Sequence, residues 1–130
     1  MSKDPAFLFY PNDSVGGMGN LYLIKLWNRE ESFYKIGTTV NKYCRFYQLM
    51  KEGYECKIIY LLMKLDYFKV LNLESYYKDL YADLQYTPIK KFGGYTECFH
   101  NIDEEDYINR LRVLVPYNLP VIKNLEITWR

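Results

Sequence analysis

The fold is decided by GNLYLIKLWNREESFYKIGTT, residues 19–39. Two mainly apolar runs, 19–26 and 33–39, flank a largely polar break, which is typical of an antiparallel β-hairpin. Gly37, near the end of the second run, indicates that the strand stops there and that a helix follows. Two later residues distinguish this hairpin from an ordinary one: Arg45, eight residues after Gly37, and Glu74 in a later helical segment.

Three further elements are predicted after the hairpin. A helix should run from about Asn41 to Lys51, an apolar strand over 56–63, and a long helix from a capping Asp66 to about Gln85. The predicted buried positions are Tyr43, Phe46, Tyr47 and Met50 in the first helix and Val70, Leu73, Tyr77, Leu80, Tyr81 and Leu84 in the second. The sequence therefore predicts an α/β (α+β) fold, a three-stranded antiparallel sheet flanked by helices.

The chain of 130 residues suits one domain with a short extension. Residues 1–18 are a turn-rich lead-in, 19–99 form the core, and 100–130 form a C-terminal extension. Within the extension, Asp103 is placed to cap a helix to about Leu114, and the weak alternation of 121–129 suits a closing strand.

Composition limits the classes of function. Lys+Arg 17 against Asp+Glu 16 gives a net charge of +1, which weighs against a histone-like or basic-arm binder, so nucleic-acid affinity would need a local patch. Three cysteines without Cys-x-x-Cys spacing and one histidine indicate buried free thiols rather than a zinc site or a disulfide framework. We find no basic leader followed by an apolar run and no stretch of about 18 apolar residues, so a soluble, intracellular protein without a membrane partner is expected, in a host or bacterial cytoplasm.

Glu74 is the most informative single residue. It lies at the same helical angle as Val70 and Tyr77, although glutamate is almost never fully buried unless it is paired. Either it sits at the rim of the apolar stripe with Lys78 as its i, i+4 partner, or it faces a cation in a cleft. Spacing alone leaves both interpretations open.

A basic, glycine-rich loop, KKFGGYTECF, occupies residues 90–99. It lacks the spacing of a P-loop, so its signal as a phosphate cradle is weak. It is either a tight turn with two solvated lysines or a nucleic-acid contact through Lys90 and Lys91.

Taken in order, these features resemble one family. Leu-Tyr-Leu-Ile at 21–24, Lys-Ile-Gly at 35–37, Arg45, Glu74 and Gly-Gly-Tyr-Thr-Glu-Cys-Phe at 93–99 are similar to the GIY-YIG nuclease superfamily, in particular its phage and viral branch with a Lys-Ile-Gly second motif. The chain departs from the family in three places. Asn20-Leu21 stands for Gly-Ile, Lys35 stands for the second tyrosine, and the asparagine that often closes the site has no match. Tyr34, one residue before Lys35, should not substitute for that tyrosine, because adjacent strand residues point to opposite faces.

The resemblance implies a role for each of four residues. Tyr22 would take or relay the proton of the attacking water, Lys35 would lower the pKa of that phenol, and Arg45 would bind the phosphate and stabilise developing charge. Glu74 would hold a single Mg²⁺ or Mn²⁺ ion, with waters and substrate completing the shell. Each residue also has a structural interpretation: a packed aromatic, a solvated lysine, an arginine paired with a surface acid, and the Glu74–Lys78 pair.

The function that the resemblance implies is a metal-dependent DNA endonuclease or nickase. The alternative is a catalytically inactive GIY-YIG-like module of a phage or virus that holds nucleic acid on the same face. A third possibility, a protein-interaction domain, is suggested only by the aromatic content of Tyr 15 and Phe 7.

Overall fold

The computed structural model of the chain describes residues 18–40 and 44–128. Predictions for the lead-in before residue 18, for Asn41 and Tyr43, and for residues 129–130 lie outside these ranges. Within them the chain is an α+β protein with three α-helices and one antiparallel sheet.

The sheet has five strands in the described part of the chain, in the order β4-β2-β1-β3-β5. The strands are β1 Met18–Trp27, β2 Ser32–Thr39, β3 Glu55–Asp66, β4 Cys98–Phe99 and β5 Val121–Ile127. The three strands expected from the apolar runs form its centre, and the closing strand expected over 121–129 is present as β5. The predicted number of three strands was wrong, because an edge strand pairs on one side only and needs little apolar sequence. β4 is two residues long and β5 is largely exposed.

Two of the three described helices begin where their predicted caps lie. α1 spans Cys44–Lys51, α2 spans Tyr67–Leu80 and α3 spans Glu104–Leu114. The Asp66 side chain accepts a hydrogen bond from the amide of Lys69, and that of Asp103 accepts one from the amide of Asp106. α2 ends earlier than predicted. Tyr81 leaves helical geometry and a short 3₁₀ turn, Ala82–Leu84, follows.

The sheet buries both of its faces. Leu21 and Leu23 of β1 point to the first face, which is covered by α2 and α3. Tyr22 and Ile24 point to the second face, which is covered by α1 and the segment 86–99. Because neighbouring strand residues alternate between faces, a strand buried on both sides reads as a nearly continuous apolar run, as β1 does.

Four positions depart from the predicted burial. Tyr47 and Leu80 are each 38% exposed, and Leu49 is buried beside Phe46 in α1. The contact stripe of α1 is therefore rotated from the predicted one by part of a turn. Cys44 is exposed as well, whereas Cys56 and Cys98 are buried free thiols as expected.

None of the helices in the described ranges is long and apolar enough to cross a membrane.

Candidate active site

The centre of the site is a buried contact between Tyr22 and Lys35. Tyr22 of β1 pairs with Gly37 of β2, and Lys35, two residues before Gly37, points to the same second face. The Lys35 ammonium donates a hydrogen bond of 2.7 Å to the Tyr22 hydroxyl oxygen. Tyr22 is 1% exposed and Lys35 is 0% exposed, so the interpretation of Lys35 as a solvated lysine was wrong.

The neighbour of Lys35 points to the other face, as strand alternation predicts. The Tyr34 hydroxyl donates a 2.7 Å hydrogen bond to Oε2 of Glu104, at the start of α3. Tyr34 therefore does not take the place of the family's second tyrosine.

Two glycines enclose the Lys35 ammonium. A Cβ atom added at Gly37 would overlap the Tyr22 phenol and lie 3.1 Å from Lys35 Nζ. A Cβ atom at Gly94 would also lie 3.1 Å from Nζ, and Gly94 has a φ of +87°, which side chains other than glycine rarely adopt. The glycines of the Lys-Ile-Gly and Gly-Gly segments thus make room for the same ammonium.

Glu97 completes this cluster, and sequence reasoning gave it no role. Its Oε1 atom lies 2.8 Å from Lys35 Nζ, and its Oε2 atom lies 3.4 Å from Lys78 Nζ. Glu97 is 62 residues from Lys35 along the chain, so no local spacing connects the two. The one available signal is that a lysine on a buried strand position requires a carboxylate, and Glu97 lies in the glycine-rich run that the family resemblance includes.

Glu74 lies beside Glu97 at the rim of α2. Its side chain is 13% exposed, and Lys78 Nζ lies 3.7 Å from its Oε2 atom, so the predicted i, i+4 contact is present. Burial raises the pKa of Glu74, and the charge and hydrogen bond of Glu97 raise it further against the opposing charges of Lys78 and Lys35. Burial also acts to raise the pKa of Glu97, but the attraction of Lys35 and Lys78 lowers it overall. The two carboxyl groups are therefore in hydrogen-bond contact, and a proton bound between them is favoured on Glu74 rather than on Glu97.

The Tyr22 hydroxyl is neutral in this environment. Burial raises its pKa, and the charge of Glu97 adds to that effect. Lys35 and Arg45 act to lower the pKa but do not offset the burial. Tyr22 therefore becomes a base only if further positive charge arrives, such as a metal ion.

Arg45 enters the site from α1. The Phe46 ring beside it meets the Tyr22 ring edge-on at 5.1 Å, which fixes α1 against the second face. Arg45 is half-buried, influences Tyr22 electrostatically and makes no ion pair with any residue that the structure describes. With Gln48, Lys51 and Gly93 it lines a groove of about 300 Å³.

The two loop lysines lie near this groove. Lys90 Nζ donates a 2.9 Å hydrogen bond to the backbone carbonyl of Glu52 and lies 3.4 Å from its carboxylate, so part of its charge is offset. Lys91 Nζ lies 5.8 Å from the centre of the Tyr95 ring. The structure brings Tyr22, Lys35 and Glu74 into one network with Glu97, whereas Lys90 and Lys91 remain outside it.

The loop that carries these residues is fixed by another residue without a predicted role, Glu31. Its carboxylate accepts hydrogen bonds from the hydroxyls of Tyr54 and Tyr86, at 2.6 and 2.5 Å, and from the amide of Ile89, at 3.0 Å. The hairpin turn is thereby joined to the segment that leads into the glycine-rich loop.

The donor set fits a metal ion that is held by few protein ligands. The Glu74 carboxylate is a hard oxygen donor of the kind that Mg²⁺ and Mn²⁺ prefer, and an ion there would replace the Lys78 ammonium, which lies 3.7 Å away, as its counter-charge. The described residues contain no cluster of three or more His, Cys, Asp or Glu side chains suited to a metal. Any ion here would therefore take most of its ligands from water and substrate.

No protein-family model, curated protein or solved structure matches the chain. The fold and the site by themselves define an α+β protein with an antiparallel sheet that buries a Tyr–Lys–Glu cluster.

Proposed function

We propose that this chain is a GIY-YIG-type, metal-dependent DNA endonuclease or nickase of a phage or virus. The observation that carries the proposal is the continuous side-chain network from the Tyr22 hydroxyl through Lys35 and Glu97 to Glu74. These residues come from different elements, and the resemblance assigns Tyr22, Lys35 and Glu74 to one chemical task. A family-like motif without this convergence would not support hydrolysis.

Each residue has a role that its surroundings support. Glu74 would hold one Mg²⁺ or Mn²⁺ ion, which would supply Lewis-acid charge to the phosphate and to a bound water. Lys35 donates to the Tyr22 oxygen, so the Tyr22 hydroxyl hydrogen points elsewhere and is available to a water or a phosphate oxygen. The Arg45 guanidinium, with no acidic partner among the described residues, is free to pair with a phosphate.

The groove beside Arg45 is the proposed path of the DNA backbone. Arg45, Lys51 and Gln48 offer hydrogen-bond donors along it, beside Glu52, Phe92 and Gly93. Because Tyr22 is enclosed, the loop that carries Gly94 and Glu97 must shift for a scissile phosphate to reach the phenol.

One set of observations favours the second candidate, a catalytically inactive module that holds nucleic acid in the same groove. Tyr22 is almost fully buried and neutral, and the Lys78 ammonium already lies near both carboxylates. Such a protein would use Arg45 and Lys51 for phosphate contacts without cleavage.

Plasmid nicking separates the two candidates. The full chain is incubated with supercoiled plasmid and Mg²⁺ or Mn²⁺, beside Glu74→Ala, Tyr22→Phe and Arg45→Ala. Asp79→Ala, an exposed acid on the same helix, and Tyr107→Phe, a second fully buried tyrosine, are the matched controls. We expect metal-dependent nicking that falls by about 100-fold or more in the three site variants and is retained in both controls.

Binding is measured in parallel by DNA gel shift at low salt. DNA binding without nicking at any metal concentration would make the inactive module the correct assignment. Absence of DNA binding at low salt would contradict both candidates.

A further inference from the structure

The Lys35 ammonium is enclosed by side chains and backbone of the residues that the structure describes. Tyr22 accepts one of its hydrogen bonds, Glu97 accepts another, and the Gly37 and Gly94 backbones lie against it. Lysine can donate three hydrogen bonds and keeps its charge only where that charge is compensated. The groups around this ammonium therefore decide both its position and its charge.

Glu97 supplies that compensation. Among the described residues it is the carboxylate that hydrogen-bonds Lys35, at 2.8 Å, and no other acid forms an ion pair with Lys35. Tyr22 is a neutral partner and cannot balance a full charge. The Glu97 side chain is 25% exposed whereas the Lys35 side chain is 1% exposed, so Glu97 connects an enclosed cation to the surface of the site.

The position of Glu97 in its loop supports the same conclusion. The Glu97 amide donates a 3.0 Å hydrogen bond to the carbonyl of Gly94, which closes the short 3₁₀ turn Tyr95–Glu97. The left-handed conformation of Gly94 and the absence of a side chain there let this turn pass directly over the ammonium. Both the backbone and the side chain of the turn are thus fitted to Lys35.

We propose that Glu97 is the positioning residue of the site: its Oε1 atom holds the Lys35 ammonium against the Tyr22 hydroxyl oxygen, and thereby orients the Tyr22 hydroxyl. The placement of Lys35 is a claim about this chain alone. Its catalytic consequence rests on the proposed nuclease function, because orientation of Tyr22 matters for turnover only if Tyr22 takes part in a reaction.

The placement is tested without any activity. In ¹H–¹⁵N spectra of the full chain, an enclosed ammonium exchanges its hydrogens slowly, so Lys35 should give a side-chain signal near neutral pH, which is assigned by its loss in Lys35→Met. We expect Glu97→Gln to abolish or strongly broaden that signal and Glu97→Asp to keep it with faster exchange. Glu55→Gln, an exposed glutamate on β3, is the matched control and should leave the signal unchanged. An unchanged Lys35 signal in Glu97→Gln would overturn the proposal.

The consequence is tested by the kinetics of plasmid nicking. For a positioning residue, Glu97→Gln should lower kcat by about 10-fold or more, leave the metal concentration for half-maximal activity unchanged, and be partly rescued by Glu97→Asp. A rise of 10-fold or more in that metal concentration with kcat retained would make Glu97 a metal ligand instead and overturn the positioning role. If the wild-type chain does not nick DNA at all, the proposed function is wrong, and the ammonium spectra alone still decide whether Glu97 holds Lys35.

Discussion

One fully buried tyrosine on each face of the sheet, Tyr107 and Tyr22, shows how the faces differ, because among the described residues only the Tyr22 hydroxyl has a partner. On the first face, Tyr107 is 0% exposed, its ring stacks on that of Tyr77 at 4.2 Å, and its hydroxyl has no hydrogen-bond partner among the described residues. On the second face, the Tyr22 hydroxyl accepts a hydrogen bond from the buried Lys35. The first face is an apolar core that tolerates one unsatisfied hydroxyl, whereas the second face is built around a charge.

Two consecutive residues of β2 show the same difference between the two faces of the sheet. Lys35 and Ile36 are both 0% exposed and point to opposite faces. Ile36 packs in the cluster of Leu21, Leu23 and Tyr77, and Lys35 is compensated by Glu97. Burying an ammonium costs several kcal/mol unless it is paired, so a protein selected for stability alone would place an apolar residue at position 35. This cost is the physical reason to associate the second face with function.

The largest expected effect on stability comes from placing a charge at position 36, whereas an apolar residue at position 35 should be tolerated. Ile36→Lys would bury a charge without a counter-charge, at a cost comparable with the whole stability of about 5–15 kcal/mol, and we expect the chain not to fold. Lys35→Met keeps the volume and removes the charge, and we expect a folded protein within about 2 kcal/mol of the wild type that has lost nicking activity. Urea denaturation followed by circular dichroism measures both. A cooperatively folded Ile36→Lys would show that the two faces are not different in this way.

The two buried tyrosines should respond differently to loss of the hydroxyl. Tyr22→Phe removes an acceptor from a charged donor and should destabilise the protein by about 1.5–3 kcal/mol. Tyr107→Phe removes an unsatisfied polar group and should be neutral or stabilising by up to about 1 kcal/mol. Thermal and urea denaturation of the two variants side by side check the difference, and equal effects would contradict it.

Alanine at Gly94 should have a smaller effect on stability, and alanine at the neighbouring Gly93 serves as its control. Gly94→Ala would place a Cβ atom 3.1 Å from Lys35 Nζ at a φ of +87°, so we expect a loss of about 1–2 kcal/mol and lower activity. Gly93→Ala has nothing within 4 Å of the new Cβ atom and should change stability by no more than about 0.5 kcal/mol. If both variants behave alike, the turn does not close over Lys35.

The smallest effect concerns alkaline pH. Burial lowers the pKa of Lys35, but Tyr22 and Glu97 raise it to about 12, and burial with the Glu104 hydrogen bond raises the pKa of Tyr34 to about 12. A raised pKa contributes stability that is complete below the unfolded pKa, near 10 for both groups, and is lost as the pH rises through about 12. Denaturation midpoints should therefore fall between pH 10 and 12.

Two variants measure how much of this alkaline loss each group contributes. Tyr34→Phe should remove the part of the pH dependence that belongs to Tyr34, on the first face, and Lys35→Met the part that belongs to Lys35, on the second. A pH profile unchanged in both variants would show that neither group is coupled to folding.

Local features were predictable and long-range pairings were not. The hairpin, the caps at Asp66 and Asp103, and the opposite directions of Tyr34 and Lys35 follow from short-range patterns, and the structure has all of them. The edge strand β4 was missed because two residues carry no periodicity. Tyr47 was placed in the core instead of Leu49 because both fit an apolar stripe, and only the packing of α1 on the sheet distinguishes them.

The site divides in the same way. Tyr22, Lys35, Arg45 and Glu74 were found from motif spelling, and their roles in catalysis stay predictions. No role for Glu97 is predictable from the sequence, because its partner Lys35 lies 62 residues away. The sequence also leaves a solvated Lys35 open, because the pattern of a strand does not show which elements cover each face of the sheet.

The sequence by itself determined the hairpin, the order of the helices and central strands, and the opposite directions of Tyr34 and Lys35, because strand alternation and helix capping act over a few residues. Only the tertiary structure decided that Lys35 is buried, that Glu97 compensates it, and that Glu74 lies next to Glu97. Those contacts depend on how the glycine-rich turn and α2 pack against the sheet, and such packing is a property of the whole chain.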